Sequence, residues 1–89
     1  MGNNCCSSNN KGELMVLVFD CRSLGKFDIE CYDLDKLKKV IKDMCKVSNI
    51  SYDSISGVQY KYTTLDQNAT VRELRIPSGG VILVLFKDS

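Results

Sequence analysis

The sequence contains no histidine and no tryptophan, and it has a single proline among 89 residues. Histidine is the side chain that most often acts as a general base near neutral pH and as a metal ligand. Without it, the sequence offers no convincing pair of nucleophile and base, and a lone thiol is a weak nucleophile. We therefore expect no catalytic site, no metal site and no cofactor.

Long hydrophobic runs and an excess of charge are also missing. The longest apolar runs, 14–19 and 81–86, have six residues each, whereas a transmembrane helix needs about 20. The first twelve residues are polar and lack the apolar segment of a signal peptide. With 12 basic and 11 acidic residues the net charge is +1, which provides no global field for nucleic acid. We expect a protein that faces the cytosol, keeps its five cysteines reduced and does not bind nucleic acid.

The N-terminal residues 1–12 are small and polar, and we predict that they form a disordered tail ahead of a folded domain at 13–89. Removal of the initiator methionine would expose Gly2, the acceptor in the N-myristoylation pattern Met-Gly-x-x-x-Ser/Thr. Cys6 occupies the Ser/Thr position of that pattern. The sequence therefore predicts a myristoyl group on Gly2, with one departure from the usual motif.

Two adjacent cysteines, Cys5 and Cys6, follow Gly2 closely. A single myristoyl chain binds membranes reversibly, with an association constant of about 10⁴ M⁻¹, so a stable anchor needs a second signal. Thiols beside an inserted Gly2 are suited to S-palmitoylation. Two alternatives are a pair without function and a metal site, although adjacent cysteines without histidine are a poor ligand set. With both lipids, the expected location is the cytosolic face of a membrane, either the plasma membrane or an endomembrane.

Hydrophobic periodicity in the first half of the domain predicts two strands and a helix. A strand at 13–19, marked by the apolar run 14–19, and an alternating strand at 27–32 indicate a hairpin. Either Asp33 or Asp35 is then suited to cap a helix that ends near 47–49. The apolar stripe of this helix consists of Leu34, Leu37, Val40, Ile41 and Met44.

The second half predicts two further strands. Residues 50–57 form a loop anchored by Tyr52 and Ile55, and 58–62 alternate, with Val58, Tyr60 and Tyr62 on one side. Thr70 and Glu73 have the spacing of a capping box, and 81–86 form a last strand. The order of elements indicates an α+β protein with a β-grasp fold, in which a mixed sheet of four to five strands packs on one helix.

A segment before the last strand matches a pattern of known proteins. In ubiquitin-like domains, a Leu-acidic-x-x-x-Thr-Leu-x-x-hydrophobic-x-Ile segment precedes the last strand. The same positions are filled here by Leu65, Thr70, Val71, Leu74 and Ile76. Gly25-Lys26 matches the Gly-Lys of the first hairpin in that family. The chain thus resembles ubiquitin-like domains over 13–87.

Two departures from the family affect function. Conjugated members and the related sulfur carriers end in Gly-Gly, whereas here Gly79-Gly80 precedes a strand and the sequence ends in Lys-Asp-Ser. The resemblance therefore implies a protein that is not conjugated, unless processing ends the chain at Gly80. The apolar patch of ubiquitin has its central isoleucine replaced here by Gln59, and its last-strand member corresponds to Leu85. The usual ubiquitin receptors are expected to bind poorly.

The sheet face away from the helix is a candidate partner-binding surface. Leu83 and Leu85 and alternate residues of 14–19 should be exposed there, beside Gln59. An exposed apolar patch often marks a partner site. The alternatives are that the Tyr52 loop, the tail or self-association covers this face.

A run of lysines covers the polar side of the predicted helix. It is either an ordinary solvated face or a contact for an anionic leaflet or an acidic partner. The lysines are Lys36, Lys38, Lys39, Lys42 and Lys46. Of the three cysteines in the domain, Cys21 is expected to be exposed, whereas Cys31 and Cys45 are expected in the core.

Together these features favour a membrane-tethered, non-conjugated adaptor that is monomeric and recruits a protein partner to the cytosolic face of a membrane. One alternative is a Ras-association-like module that binds an acidic GTPase through the lysines. Another is a soluble ubiquitin-like subunit of a complex with an inert tail.

Overall fold

A computed structural model of the protein describes residues 12–87, so the predictions made for Gly2, Cys5 and Cys6 lie outside the described residues. Five strands and one longer helix make up the domain, with single turns of 3₁₀ helix at Arg22–Leu24 and Tyr52–Ser54. In chain order the elements are β1 (Leu14–Asp20), β2 (Lys26–Tyr32), α1 (Leu37–Ser48), β3 (Ile55–Tyr60), β4 (Thr63–Thr64) and β5 (Val81–Phe86).

The strands form one mixed sheet in the order β2-β1-β5-β3-β4. β1 and β5 are parallel neighbours at its centre, and the other pairs are antiparallel. These two strands are the ones with uninterrupted apolar sequence, which suits strands that have neighbours on both sides. The predicted α+β architecture, a mixed sheet packed on one helix, is confirmed.

Each central strand presents alternate residues to the helix. Met15, Leu17 and Phe19 of β1 are buried, as are Ile82 and Val84 of β5. Burying one such side chain stabilises the fold by about 1.5–3 kcal/mol relative to leaving it exposed. The helix closes this layer with its own buried side chains, which are Leu37, Val40, Ile41, Met44 and Cys45.

The helix begins later than the sequence suggested, and neither predicted aspartate caps it. Its N-cap is Lys36, which makes no side-chain capping bond. Instead, the carbonyl oxygens of Ala69 and Gln67 accept hydrogen bonds from the N–H groups of Leu37 and Lys38, both at 2.9 Å. These carbonyls replace the expected cap because they occupy the first free N–H groups of the helix. Leu34 therefore precedes the helix and is half-buried.

The end of the helix agrees with the prediction. Asn49 follows the last turn in the left-handed conformation, with φ 62°, and its N–H donates to the carbonyl of Cys45. Asparagine adopts this conformation more readily than most residues, so it terminates the helix at low cost.

The third strand was predicted too late in the chain. It spans Ile55–Tyr60, and Lys61 and Tyr62 then turn the chain with φ values of 51° and 67°. Tyr62 is 97% exposed, so it does not share a side with the buried Val58. An irregularity between Ile55 and Gly57 shifts the alternation, which is why the pattern after Val58 did not reveal the start of the strand.

The predicted capping box is present. The N–H of Glu73 donates to the hydroxyl of Thr70 at 3.1 Å, and the N–H of Thr70 donates to the carboxylate of Glu73 at 2.8 Å. This reciprocal pair satisfies two backbone donors and holds a turn that buries Val71 and Ile76.

The three cysteines of the domain are free thiols, and all are buried. The prediction that Cys21 is exposed was wrong, because it continues the inward alternation of Met15, Leu17 and Phe19 and its sulfur lies 3.9 Å from that of Met44. Burial and the nearby Asp20 raise its pKa. The core positions predicted for Cys31 and Cys45 are confirmed.

Burial also controls the charge state of Cys31. Burial, followed by the negative charge of Asp35, raises the pKa of this thiol to about 11. Since the thiolate is the nucleophile, a buried thiol with a raised pKa reacts slowly.

We expect the domain thiols to react with a disulfide reagent at pH 8 at least about 100-fold more slowly in the native protein than in the denatured one. The variant with Cys5→Ser and Cys6→Ser isolates the signal of Cys21, Cys31 and Cys45. Stopped-flow absorbance measures the rates. A thiol that reacts at the denatured rate in the native variant would contradict their burial.

Asp33 joins three parts of the chain. Its carboxylate accepts hydrogen bonds from the N–H of Glu13 at 2.9 Å and from the side chain of Arg72 at 3.0 Å. The bond from Glu13 and then the side chain of Arg72 lower the pKa of Asp33. A lowered folded-state pKa means that the charged carboxylate stabilises the fold at neutral pH and that this contribution is lost on acidification.

Replacing Asp33→Asn should therefore lower the urea midpoint at pH 7. The difference from the wild type should begin to shrink as the pH falls below about 4, the ordinary pKa of the carboxyl, and should be lost below the lowered pKa of the folded state. Asp28→Asn on the exposed side of β2 is the matched control and should have little effect at either pH. A pH-independent loss in Asp33→Asn would show that the charge is not the cause.

Candidate functional site

The sheet has a second side, turned away from the helix, which we call the outer face. Residues Leu14, Val16 and Val18 of β1 alternate with the buried ones and therefore lie on this side. The same alternation places Val81, Leu83 and Leu85 of β5 there. The outer face thus combines apolar side chains from both central strands.

The register brings the three predicted partner-binding residues together. Leu83 lies directly opposite Gln59, and Leu85 lies opposite Gly57 of the same strand. Leu83, Leu85 and Gln59 are half-buried rather than exposed. Leu83 has strands on both sides, with Asp20 paired to it from β1, and such neighbours cover part of its side chain.

The most exposed apolar residues of the outer face were not singled out from the sequence. Leu14 is 59% exposed and Val81 is 46% exposed. Val81 pairs with Val18, so the apolar surface continues from β5 into β1. The sequence did not reveal the register of the first strand. This register decides which alternate residues of an all-apolar run face outward.

The Tyr52 loop was one candidate for covering the outer face, but in the structure it lies elsewhere. The hydroxyl of Tyr52 donates to the side-chain oxygen of Gln67 at 2.6 Å, and the amine of Lys42 lies 5.3 Å from the centre of its ring. Both contacts place Tyr52 beside the helix, on the other side of the sheet. The Tyr52 loop therefore leaves the outer face uncovered.

Acidic side chains border the outer face along β2. Asp28 pairs with Val18 and Glu30 pairs with Val16, so both carboxylates stand beside the apolar surface. Lys26 pairs with Asp20 further along the strand. One border of the outer face therefore carries more negative than positive charge.

The internal Gly79-Gly80 forms a turn that is fixed to β1. The N–H of Gly79 donates to the carbonyl of Val16 at 2.6 Å, and the carbonyl of Gly80 accepts from the N–H of Val18 at 3.0 Å. Gly79 has φ 86°, and a Cβ at Gly80 would lie 2.9 Å from the side chain of Ile76. The backbone conformation favours glycine at Gly79, and the lack of space for a Cβ favours it at Gly80, so the predicted turn is confirmed.

The five predicted lysines lie on the helix side of the sheet and are exposed. They surround one shallow depression together with Asp43. Lys39 pairs with Asp43 at 3.2 Å and with Asp35 at 4.0 Å, and the hydrogen bond to Asp43 raises its pKa. We call this surface the lysine face, which consists of Lys36, Lys38, Lys39, Lys42 and Lys46.

The first described residue shows where the N-terminal segment joins the domain. Gly12 has φ 83° and contacts Asp33 and Leu34 so closely that a Cβ would collide with both side chains. The next residue, Glu13, is bonded to Asp33. The first described residue therefore lies beside the connection from β2 to α1.

Residues 12–87 contain no group of three or more histidine, cysteine, aspartate or glutamate side chains placed to hold a metal ion. No helix in this part of the chain has the length and apolar character required to cross a bilayer.

No protein-family model matches the chain, and no curated protein is significantly similar to it. Solved structures of other proteins, however, are similar to this chain. The ubiquitin-like domain of an Arabidopsis thaliana protein aligns with a TM-score of 0.78 at 17% identity, covering 92% of this chain and 86% of that one.

Two further structures agree. Caldiarchaeum subterraneum ubiquitin aligns with a TM-score of 0.73 at 15% identity, over 86% of this chain and 98% of that one. A protein described as a molecular mimic of SUMO that promotes DNA repair aligns with a TM-score of 0.75 at 18% identity, over 88% and 98%. At such low identities the likeness concerns the backbone arrangement, and this chain has the ubiquitin-like fold.

Proposed function

We propose that this protein is a non-enzymatic, membrane-tethered adaptor of ubiquitin-like fold, which recruits a protein partner to the cytosolic face of a membrane. The observation that carries this proposal is the outer face, where the apolar side chains of β1 and β5 form a continuous surface. Contiguous apolar surfaces on small domains commonly serve as protein contacts.

The composition of the outer face specifies the partner. Its apolar centre, with Leu83 and Val81, suits a segment with apolar side chains. Its border, with Asp28 and Glu30, suits basic residues at one side of that segment. We propose a partner segment that is apolar and flanked by lysine or arginine. Because Gln59 is polar, the outer face should bind poorly those ligands that require an isoleucine at its centre.

The attachment to a membrane is proposed from the sequence of the N-terminus. Gly2 would carry a myristoyl group, and Cys5 and Cys6 would carry palmitoyl groups. Each buried methylene of a second chain adds about 0.8 kcal/mol, which converts reversible binding into stable residence.

A role as a conjugated modifier is disfavoured by the position of Gly79-Gly80. Cleavage after Gly80 would remove β5, which pairs with both β1 and β3. The domain would lose a central strand and with it the buried Ile82 and Val84. We therefore propose that the protein acts by non-covalent binding.

Photo-cross-linking from position 59 in cells tests the partner surface. A photoreactive amino acid at Gln59 should cross-link to an apolar segment with basic flanks. Leu83→Asp should reduce this cross-link at least tenfold, because it places a charge in the apolar centre. Val47→Asp is the matched control, since Val47 is 68% exposed and belongs to the helix rather than to either central strand.

Further variants separate the alternatives. If Leu83→Asp does not fold, Gln59→Lys is a milder variant for affinity measurements. It should weaken the binding of a partner segment with basic flanks. Cross-links between two copies of the chain would contradict the proposal that the outer face binds a different protein. Loss of the partner in Lys38→Glu with Lys42→Glu, but not in Leu83→Asp, would favour the GTPase-binding alternative.

Intact-mass measurement of the protein from its native cells tests the tether. We expect loss of Met1, a myristoyl group and additional palmitoyl mass that hydroxylamine removes. Gly2→Ala should abolish both lipids and release the protein from membranes. Cys5→Ser with Cys6→Ser should keep the myristoyl group and lose stable membrane retention. An unmodified N-terminus would refute the tether and leave the outer face untouched.

A further inference from the structure

The surface charges of the domain are separated by the sheet. The lysine face lies on the helix side, whereas Asp28 and Glu30 border the outer face. The net charge of +1 therefore conceals an uneven distribution of charge, with a basic helix side and an acidic border along β2. Such a distribution favours one orientation next to a negatively charged surface.

The lysines are available for an outside contact. Among residues 12–87, Lys39 is the one member of the lysine face that forms ion pairs. Lys42 lies over the ring of Tyr52, a contact that leaves its charge uncompensated. The remaining three, Lys36, Lys38 and Lys46, are exposed without an ion pair inside the described domain.

The N-terminal segment joins the domain at the end where the lysine face begins. Gly12 packs against Asp33 and Leu34, which lie three and two positions before Lys36 in the chain. The helix has 12 residues and is about 18 Å long. The nine residues 3–11 reach up to about 30 Å when extended. Gly2 can therefore be placed beside any lysine of this face.

From this geometry we infer that the lysine face lies flat against an anionic phospholipid leaflet when the chain is tethered. The inference rests on the proposed tether and adds an orientation to it. Because the outer face is on the opposite side of the sheet, this orientation turns it toward the cytosol. The membrane and the protein partner are then bound at the same time by opposite sides of the domain.

An acidic protein is the competing ligand for the lysine face. The position of Gly12 favours the membrane, because a lipid-anchored N-terminus holds the lysines at high effective concentration near the headgroups. Each lysine near an anionic surface strengthens binding about fivefold. A protein interface on this side would also need apolar contacts. Val47 is the one exposed large apolar residue of α1.

The test uses the full chain with an N-terminal histidine tag, bound to vesicles through a nickel-chelating lipid. The vesicles contain phosphatidylcholine alone or with phosphatidylserine. Lysine acetylation by a water-soluble reagent is followed residue by residue with mass spectrometry. On phosphatidylserine vesicles the lysine face should react about fivefold more slowly than on neutral ones, and Lys61 and Lys87 should react equally on both.

Two charge-matched variants complete the experiment. Lys38→Glu with Lys42→Glu should remove the protection of Lys36, Lys39 and Lys46. Lys61→Glu with Lys87→Glu changes the net charge equally and should leave that protection intact. Equal rates on both vesicle types, as expected if an acidic protein is the true ligand, would overturn the inference. Uniform protection of all lysines would overturn it as well.

The chelating lipid separates this test from that of the proposed function. It replaces the native acyl chains, so a negative result refutes the orientation and leaves lipidation open. An unmodified Gly2 in the intact-mass measurement refutes the tether instead. The two failures therefore give different observations.

Discussion

The parallel pairing of β1 with β5 is the constraint on which the rest of the molecule depends. Both strands are apolar at nearly every position, and a single helix is long enough to cover one side of the sheet. Met15, Leu17 and Phe19 are driven inward by this helix, and the alternating partners of these residues must then face outward. The apolar outer face is thus a direct result of burying the inner one.

The same constraint organises the charges. The helix packs with its apolar stripe on the sheet, so its lysines point away from it. β2 lies at the edge of the sheet, and its outward positions carry Asp28 and Glu30. A domain with almost balanced charge therefore has one basic side. Its two candidate contacts lie on opposite sides of the sheet, which lets them operate without competing for space.

The sequence alone predicted features that depend on local patterns. The fold class, the central strands, the helix end at Asn49 and the capping box at Thr70 follow from alternation, helical spacing and turn chemistry. The burial of Cys21 was also visible, since it continues the alternation of β1, but its place in a turn suggested exposure.

Other features depend on contacts between distant residues. Asp33 does not cap the helix because Glu13 and Arg72, 20 and 39 residues away, donate to its carboxylate. The register of β1 is fixed partly by the hydroxyl of Ser78, which accepts from the N–H of Val16 across 62 positions of sequence. The start of β3 is hidden by an irregularity in the strand pairing between Ile55 and Gly57. No local pattern contains this information, so the outer face was only partly predictable.

The attachment of Gly12 at the start of β1 has a mechanical consequence. A force applied upstream of Gly12 would enter the domain through β1, which has hydrogen-bonded neighbours on both sides, β2 and β5. Detaching β1 would require breaking its bonds to both of these strands. The strand that supports the fold is therefore also the strand through which the domain would bear such a force.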